Sequence, residues 1–406
     1  MSKSAEEAES VEQRPVWAWI DQAALRHNAR RALECAGDRS VIGVVKADGY
    51  GHGAEEVARA LLAEGVARLA VVSVAEGASL RRAGIMAPIL LLGGLDDFPA
   101  AERAVKWGLT PVLQDDRGLE LARSFGREDA PLAIEVEIDT GMRRMGVAAS
   151  SARPLLERAR SLPELSVSGV FTHLACADEA DPAPSRQQLV TFGEILREIT
   201  GGAGAPPDSH VANSAGLLRL AEIETAESGV VTRAVRPGLM LYGVSPFADA
   251  GQSAEALDLE PAMSLAARVI AVRRIEAGDS VGYGGEWTAS QPTTIATLPL
   301  GYADGIPRSA MGRGEVYLCG EMRRIVGRVS MDSICVDVGD APVEVGEIAT
   351  IFGRTPEGHR IPVENFAAAA GTIGYEILVG VGTRVPRRIG VGLPPGESPR
   401  GIDHPD

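Results

Sequence analysis

Lysine is almost missing from this chain of 406 residues: Lys3, Lys46 and Lys106 are all it has, and the rest of its positive charge is arginine. Arginine cannot give up its proton at any ordinary pH, whereas a desolvated lysine can become a neutral amine nucleophile. Amine chemistry is therefore excluded everywhere except at three positions. Lys3 lies in an acidic leading stretch and Lys106 in AERAVKWG, which reads as a solvated helix face. That leaves Lys46, which follows the apolar run VIGVV; the bland alternative is a lysine snorkelling from a strand end. Basic charge is also scarce overall. The 40 basic residues against 55 acidic ones give a formal charge of -15, which disfavours nucleic acid and anionic membrane surfaces as partners and requires any anion site to be local. No apolar run approaches the ~18 residues of a membrane span. The opening MSKSAEEAESVEQR has no apolar segment of the kind a secretory signal carries, and reads as a disordered acidic tail over 1–14. The four cysteines, Cys35, Cys176, Cys319 and Cys335, form no CxxC pair or regular framework, so a reducing, cytoplasmic setting is expected.

What the chain does have is alternation. Short apolar runs recur at 41–46, 69–74, 88–93, 110–113, 132–138, 166–173, 209–213 and 235–243, separated by helix-forming stretches such as GAEEVARALLAEG and SRQQLVTFGEILREI. Eight strands buried on both faces and alternating with helices predict a parallel α/β fold. A (β/α)8 TIM-like barrel over 15–250 is the economical solution, with a doubly wound sheet as the alternative. Lys46, the segment from Glu137 to Arg144, His173, Asn213 with Ser214, and Arg236 all fall at or near strand ends, where barrel sites assemble. After about residue 255 the texture changes to short β-like runs with glycine turns, which predicts a C-terminal, mostly antiparallel β domain over 251–390. VWAWID (16–21) fits either domain, and 391–406 reads as a flexible tail.

VVKADGYGHG (44–53), IDTGMRRMG (138–146), THLACADE (172–179), HVANSAG (210–216), RPGLMLYG (236–243), GYGGEW (282–287), LPLGYADG (298–305), GRVSMD (327–332), TIGYE (372–376) and RVPRR (384–388) form an ordered set. Together they resemble alanine racemase, from about residue 16 to 389. The resemblance implies a pyridoxal 5'-phosphate (PLP) enzyme that interconverts L- and D-alanine for peptidoglycan, without a metal. It further implies a homodimer in which the partner's C-terminal domain completes each active site. On this likeness Lys46 is the PLP Schiff-base lysine and one of two catalytic bases, and Tyr283 is the opposing base from the other subunit. Tyr50 and Tyr375 contact the phosphate or line the entrance, and Ser214, Gly238 and Leu239 form the phosphate cradle. Arg236 faces the pyridine nitrogen, His173 and Asn213 lie near the ring and its supporting hydrogen bonds, and Arg144 lies near the phenolic oxygen. Met331 and Asp332 are substrate-side residues from the partner, and Arg144 also belongs to the substrate site.

The residue types suit that chemistry. Racemisation needs acid–base groups on both faces of the substrate carbon, and an amine and a phenol qualify once their high pKa values are lowered. Arginine only donates, so a ring nitrogen held against Arg236 stays unprotonated. Asn213-Ser214-Ala215-Gly216 looks like a helix start, whose N–H groups and dipole favour an anion. The chain departs from the family pattern at Glu137, where many relatives carry a carbamylated lysine; Glu137 is expected to hold Arg144 directly. Gly374 stands where a serine is common. A broad-specificity racemase, acting on serine for instance, is the near alternative. A PLP decarboxylase would call for a cysteine–aspartate proton-donor pattern that is not found, and a PLP carrier would have no use for Tyr283.

Overall fold

Each of the eight apolar runs overlaps a strand: Ser40–Val44, Arg68–Val71, Ile89–Leu91, Thr110–Leu113, Leu132–Asp139, Leu165–Phe171, Asp208–His210 and Ala234–Val235. The last run, expected over 235–243, is extended only at Val235 and turns into a 3-10 helix at Leu239–Tyr242. All pair in parallel, and Thr110–Leu113 pairs with Leu132–Asp139 to close the ring, so the sheet is a barrel and not an open doubly wound one. The computed structural model describes residues 14–200, 208–225, 229–230 and 232–396. The expected tail before Arg14 and the residues beyond 396 lie outside them. Among the described residues no helix is long and apolar enough to cross a membrane.

Strand alternation divides the barrel into two environments. In Leu132–Asp139 the buried Ile134, Val136 and Ile138 face the helical layer, while Glu135 and Glu137 turn into the barrel. Helices begin close behind the strand ends. Val74–Arg82 starts with a capping box, in which Ser73 accepts from the Glu76 N–H and the Glu76 carboxylate accepts from the Ser73 N–H. Asp97 and Asp115 cap the next two helices in the same way with their side chains. These caps keep the strand-to-helix turns short and place polar groups at the C-terminal ends of the strands.

The barrel unit runs from Ala23 to Glu260; residues 14–22 join 261–396 in a second unit. The break thus falls at other positions than 15 and 250. The cause is hydrogen bonding. Val16–Asp21 lies antiparallel to Met263–Arg268 and parallel to Arg387–Gly390, inside a ten-stranded, mostly antiparallel sheet. Gly390 is bare because a Cβ there would lie 2.1 Å from the Trp19 ring. The C-terminal tail is tied down further than expected, since Gly392 donates to Asp21 Oδ1 and accepts from Trp19 Nε1.

In this second unit the Asp304 carboxylate is fully buried. Arg14 grips it with both terminal nitrogens, at 2.6 and 3.0 Å, and the Gly301 N–H adds a third bond. Burial by itself would raise the Asp304 pKa, but the bonds from Arg14 and Gly301 and the charges of Arg14 and Arg384 hold it below the ordinary 3.8. A carboxylate with a depressed pKa stabilises the fold above its unfolded value and loses that contribution as pH falls through the folded one. Asp304→Ala is expected to cost about 3 kcal/mol at neutral pH, because it leaves Arg14 without its partner. Circular dichroism melts should show a Tm several degrees below the parent's, with the gap closing as the pH is taken through and below 3.8.

Candidate active site

Lys46 sits two residues past the strand Ser40–Val44, half-buried at the barrel mouth. Burial pushes its ammonium pKa below the ordinary 10.5; the positive charge of Arg144 adds to this and the charge of Glu76 opposes it. The backbone behind it is unusual. Ala47, Asp48, Gly49 and Tyr50 all have φ between 52° and 61°, a full left-handed turn in which only one residue is glycine. Such a conformation costs ~1–2 kcal/mol for each non-glycine residue. Local bonds offset it: Glu76 Oε1 accepts from the Ala47 N–H at 2.8 Å, and Asp48 Oδ1 accepts from the Ala54 N–H at 2.9 Å. The Tyr50 ring stacks on Tyr242 with centroids 4.6 Å apart, and the buried Tyr242 hydroxyl donates to the Val44 carbonyl. The turn thereby holds Lys46 and Tyr50 in a fixed relation to the strand.

Arg236 follows the last barrel strand and is buried with its charge intact. Burial lowers its pKa to about 10, against the pull of Glu137 and Glu135. Its Nη2 donates to the carbonyls of Thr172 (2.8 Å) and Val211 (3.3 Å) and lies 3.4 Å from His173 Nδ1. Its Nη1 donates to His210 Nδ1. Among the described residues Nε makes no hydrogen bond. The guanidinium also lies 4.5 Å over the Phe171 ring. Burial and the charges of Arg236, Arg144 and Lys46 push the His173 pKa down to about 3.

A third group forms where two loops meet. Ser214 Oγ accepts from the Gly238 N–H at 2.9 Å and the Met240 N–H at 3.2 Å, which leaves its own hydroxyl hydrogen to donate. Asn213 caps the helix Ser214–Leu218 through the Gly216 N–H. That helix has five residues, so individual N–H groups and the hydroxyl, rather than a helix dipole, make the site. Gly238 has to be glycine because a Cβ would lie 2.5 Å from the Tyr50 hydroxyl. Leu239 is buried at the start of the following 3-10 turn.

Glu137 differs from expectation. Its Oε2 accepts from Gln114 Nε2 at 3.0 Å, and it makes no ion pair with Arg144 among the described residues. The reason lies in the next turn: Asp139 Oδ1 accepts from the N–H groups of Gly141 and Arg143, Arg143 takes φ 58°, and Arg144 is carried out to solvent. Burial raises the Glu137 pKa, opposed by the Gln114 bond and by the charges of Arg236 and Arg144. The remaining expected residues lie on the second unit. Tyr283, in a turn flanked by Gly282 and Gly284, is 72% exposed; Met331 and Tyr375 are exposed, and Asp332 accepts from Arg384 Nη2 at 2.6 Å.

Residues 20–246 match the N-terminal domain of alanine racemase, and residues 262–389 match its C-terminal domain. The chain belongs to the alanine racemase family. It is an isomerase, 38% identical to the alanine racemase of Desulforamulus reducens over 92% of this chain and 98% of that one. The alanine racemase of Thioalkalivibrio sulfidiphilus is 40% identical over 90% and 96%. Among solved structures, alanine racemase from D-cycloserine-producing Streptomyces lavendulae superposes with a TM-score of 0.85 at 35% identity, over 95% of this chain and 99% of that one. The Bacillus anthracis enzyme, crystallised with L-Ala-P, gives 0.82 at 31% identity over 94% and 96%.

In this alanine racemase fold the structure adds residues that sequence reasoning passed over. Glu135 and His210 touch inside the barrel, with Arg68 behind them, and Gln114 and Glu76 support the mouth. The pattern IEVEID already places Glu135 with Glu137 on one face of its strand, and SVAE is a legible capping box. His210 has its pKa lowered to about 4: burial and the charges of Arg236 and Arg68 outweigh the opposing pull of Glu135. A histidine held neutral in the fold makes it less stable as pH falls from 6.5, where the unfolded chain begins to bind protons, towards the folded values near 3 and 4. NMR titration is expected to show neither His173 nor His210 inflecting between roughly pH 5.5 and 8. An inflection near 6.5 at His210 would mean that its contacts with Arg236 and Glu135 do not form.

Proposed function

We propose that this chain interconverts L- and D-alanine with PLP held at the barrel mouth, by a two-base mechanism using Lys46 and Tyr283. One observation carries the reading: in a member of this family, one of only three lysines stands half-buried at the barrel mouth, its charge acting on His173 beside the buried Arg236. The surrounding groups fit a phosphorylated aromatic aldehyde. Ser214 has a hydroxyl hydrogen to donate, Gly238 leaves room under Tyr50 that a Cβ would fill, and Arg236 has Nε–H left over. Ser214, Gly238, Leu239, Asn213, Tyr50 and Tyr375 would hold the phosphate and its surroundings, Arg144 and His173 the ring, and Lys46 the covalent link. Bound there, PLP supplies the electron-withdrawing system that makes the substrate's α-proton removable.

The chain's own residues do the rest. Lys46, whose ammonium is disfavoured chiefly by burial, takes or returns the α-proton on one face. The Tyr283 phenol does so on the other, and Met331 and Asp332 line that side. Arg236 has no acceptor, so a ring nitrogen held against it would stay unprotonated, which would restrain charge delocalisation and favour return of the proton to the α-carbon. Tyr283, Met331, Ile373 and Val379 are large apolar or aromatic side chains left exposed on the second unit. This supports a homodimer in which Tyr283 of one copy serves Lys46 of the other. Four free cysteines fit a reducing compartment. We place the enzyme in the cytoplasm, supplying D-alanine for peptidoglycan.

Proton NMR in D2O tests the activity. The PLP-loaded protein is expected to wash out the α-proton of L-alanine and yield D-alanine by chiral analysis, with little turnover of larger amino acids. Lys46→Ala should lower the rate by roughly a thousandfold or more. An intact, cofactor-loaded parent that leaves alanine untouched would end the proposal. The shared site has its own test. Mixing Lys46→Ala with Tyr283→Phe protein should regenerate activity at about a quarter of the sites once subunits exchange at random; exchange without recovery would place both bases in one chain.

A further inference from the structure

A line of hydrogen bonds runs from Arg236 down the barrel interior, and the proposed chemistry makes no direct use of it. His210 Nε2 is 2.7 Å from Glu135 Oε2, Glu135 Oε1 accepts from Arg68 Nη1 at 2.8 Å, and Arg68 Nη2 reaches Asp208 Oδ2 at 3.2 Å. Glu135 and His210 are completely buried, whereas Arg68 and Asp208 are partly exposed. Gly169 makes space for the carboxylate, since a Cβ there would lie 2.8 Å from the Glu135 carboxyl carbon. Phe171 stacks on the His210 ring at 4.7 Å and 13°, so the imidazole has little freedom to turn over.

The directions of these bonds leave one solution. A guanidinium has only donors, so His210 Nδ1, facing Arg236, must present its lone pair. The imidazole proton then sits on Nε2 and points at Glu135, which must accept it. Glu135 must also accept from Arg68, so both of its oxygens are committed as acceptors. The opposite tautomer, or a doubly protonated ring, would set two N–H groups against each other beside Arg236.

We propose that Glu135 is a positioning residue for the reaction: anchored by Arg68 and Asp208, its carboxylate fixes the Nε2–H form of His210, and His210 Nδ1 in turn holds Arg236 in place. Its catalytic consequence rests on the reading above that Arg236 faces the cofactor ring; the tautomer itself does not. Glu135→Gln exposes the logic. An amide has one oxygen, and two neighbours each require an acceptor, so either Arg68 loses its partner or His210 must give up its tautomer. Removing the competing demand with Arg68→Met in the same chain frees the amide oxygen for His210.

The test is two-bond proton–nitrogen correlation NMR of the full chain labelled in histidine, with and without PLP, His210 being assigned by its substitution. The parent is expected to show Nδ1 unprotonated and Nε2 protonated in both states. Glu135→Gln should mix or reverse this pattern, shift the absorbance of the PLP-loaded protein, and lower kcat for alanine by about tenfold or more, with a smaller change in KM. The double variant should recover the parent's pattern and part of kcat. A parent with its proton on His210 Nδ1 would overturn the proposal without any variant. So would a Glu135→Gln protein that keeps both the imidazole pattern and the cofactor absorbance. A chain inactive towards alanine would still report its tautomer, so the two readings fail separately.

Discussion

The structure depends on accommodating one cation, the Arg236 guanidinium, inside a parallel barrel. An uncompensated charge there would cost several kcal/mol, more than most single contacts return. Two backbone carbonyls, two imidazoles and an aromatic face surround it, and two glutamates lie within electrostatic reach. Those glutamates come from one strand whose even-numbered neighbours are apolar, so a single alternation supplies both the helix-facing core and the countercharge. In a chain of net charge -15 this is how a cationic pocket is kept local.

A second constraint acts at the mouth. The left-handed turn after Lys46 is destabilising by its own geometry and persists because Glu76, Asp48 and the Tyr50–Tyr242 stack determine it from several directions. Glu76 does double duty, closing the capping box of its own helix and accepting from Ala47 on the neighbouring strand's loop. Helix capping and placement of the amine are therefore one feature. Gly238 belongs to the same arrangement, since the absence of its side chain is what lets the Tyr50 hydroxyl approach the loop beside Ser214.

The second unit is stabilised on different terms. Its sheet draws in the strand Val16–Asp21, and the buried Asp304 ties Arg14, Gly301 and Arg384 together. Of the residues with proposed substrate roles on it, Tyr283 and Met331 keep exposed side chains, whereas Asp332 is bonded to Arg384 and through it to the Asp304 cluster. Arg384 therefore links the buried carboxylate to the exposed surface within this unit.

Much of this was legible in the sequence, for identifiable reasons. Eight apolar runs alternating with amphipathic stretches admit few folds, and scarcity of lysine by itself singles out Lys46. The ordered motifs named the family. Periodicity could not assign VWAWID, because strand pairing across about 250 residues is decided by a ladder and not by local pattern. Nor could it find Arg68, His210 and Glu135 as a connected set, since strands far apart in the chain meet only once the barrel closes. Glu137 shows the limit most clearly: residue type suggested a carboxylate for Arg144, but a turn at Asp139 carries the arginine outward and Gln114 takes its place. Composition and motif order determined the chemistry available to this protein, while tertiary closure decided which donors face which acceptors, because hydrogen-bond direction depends on distances the chain order does not contain.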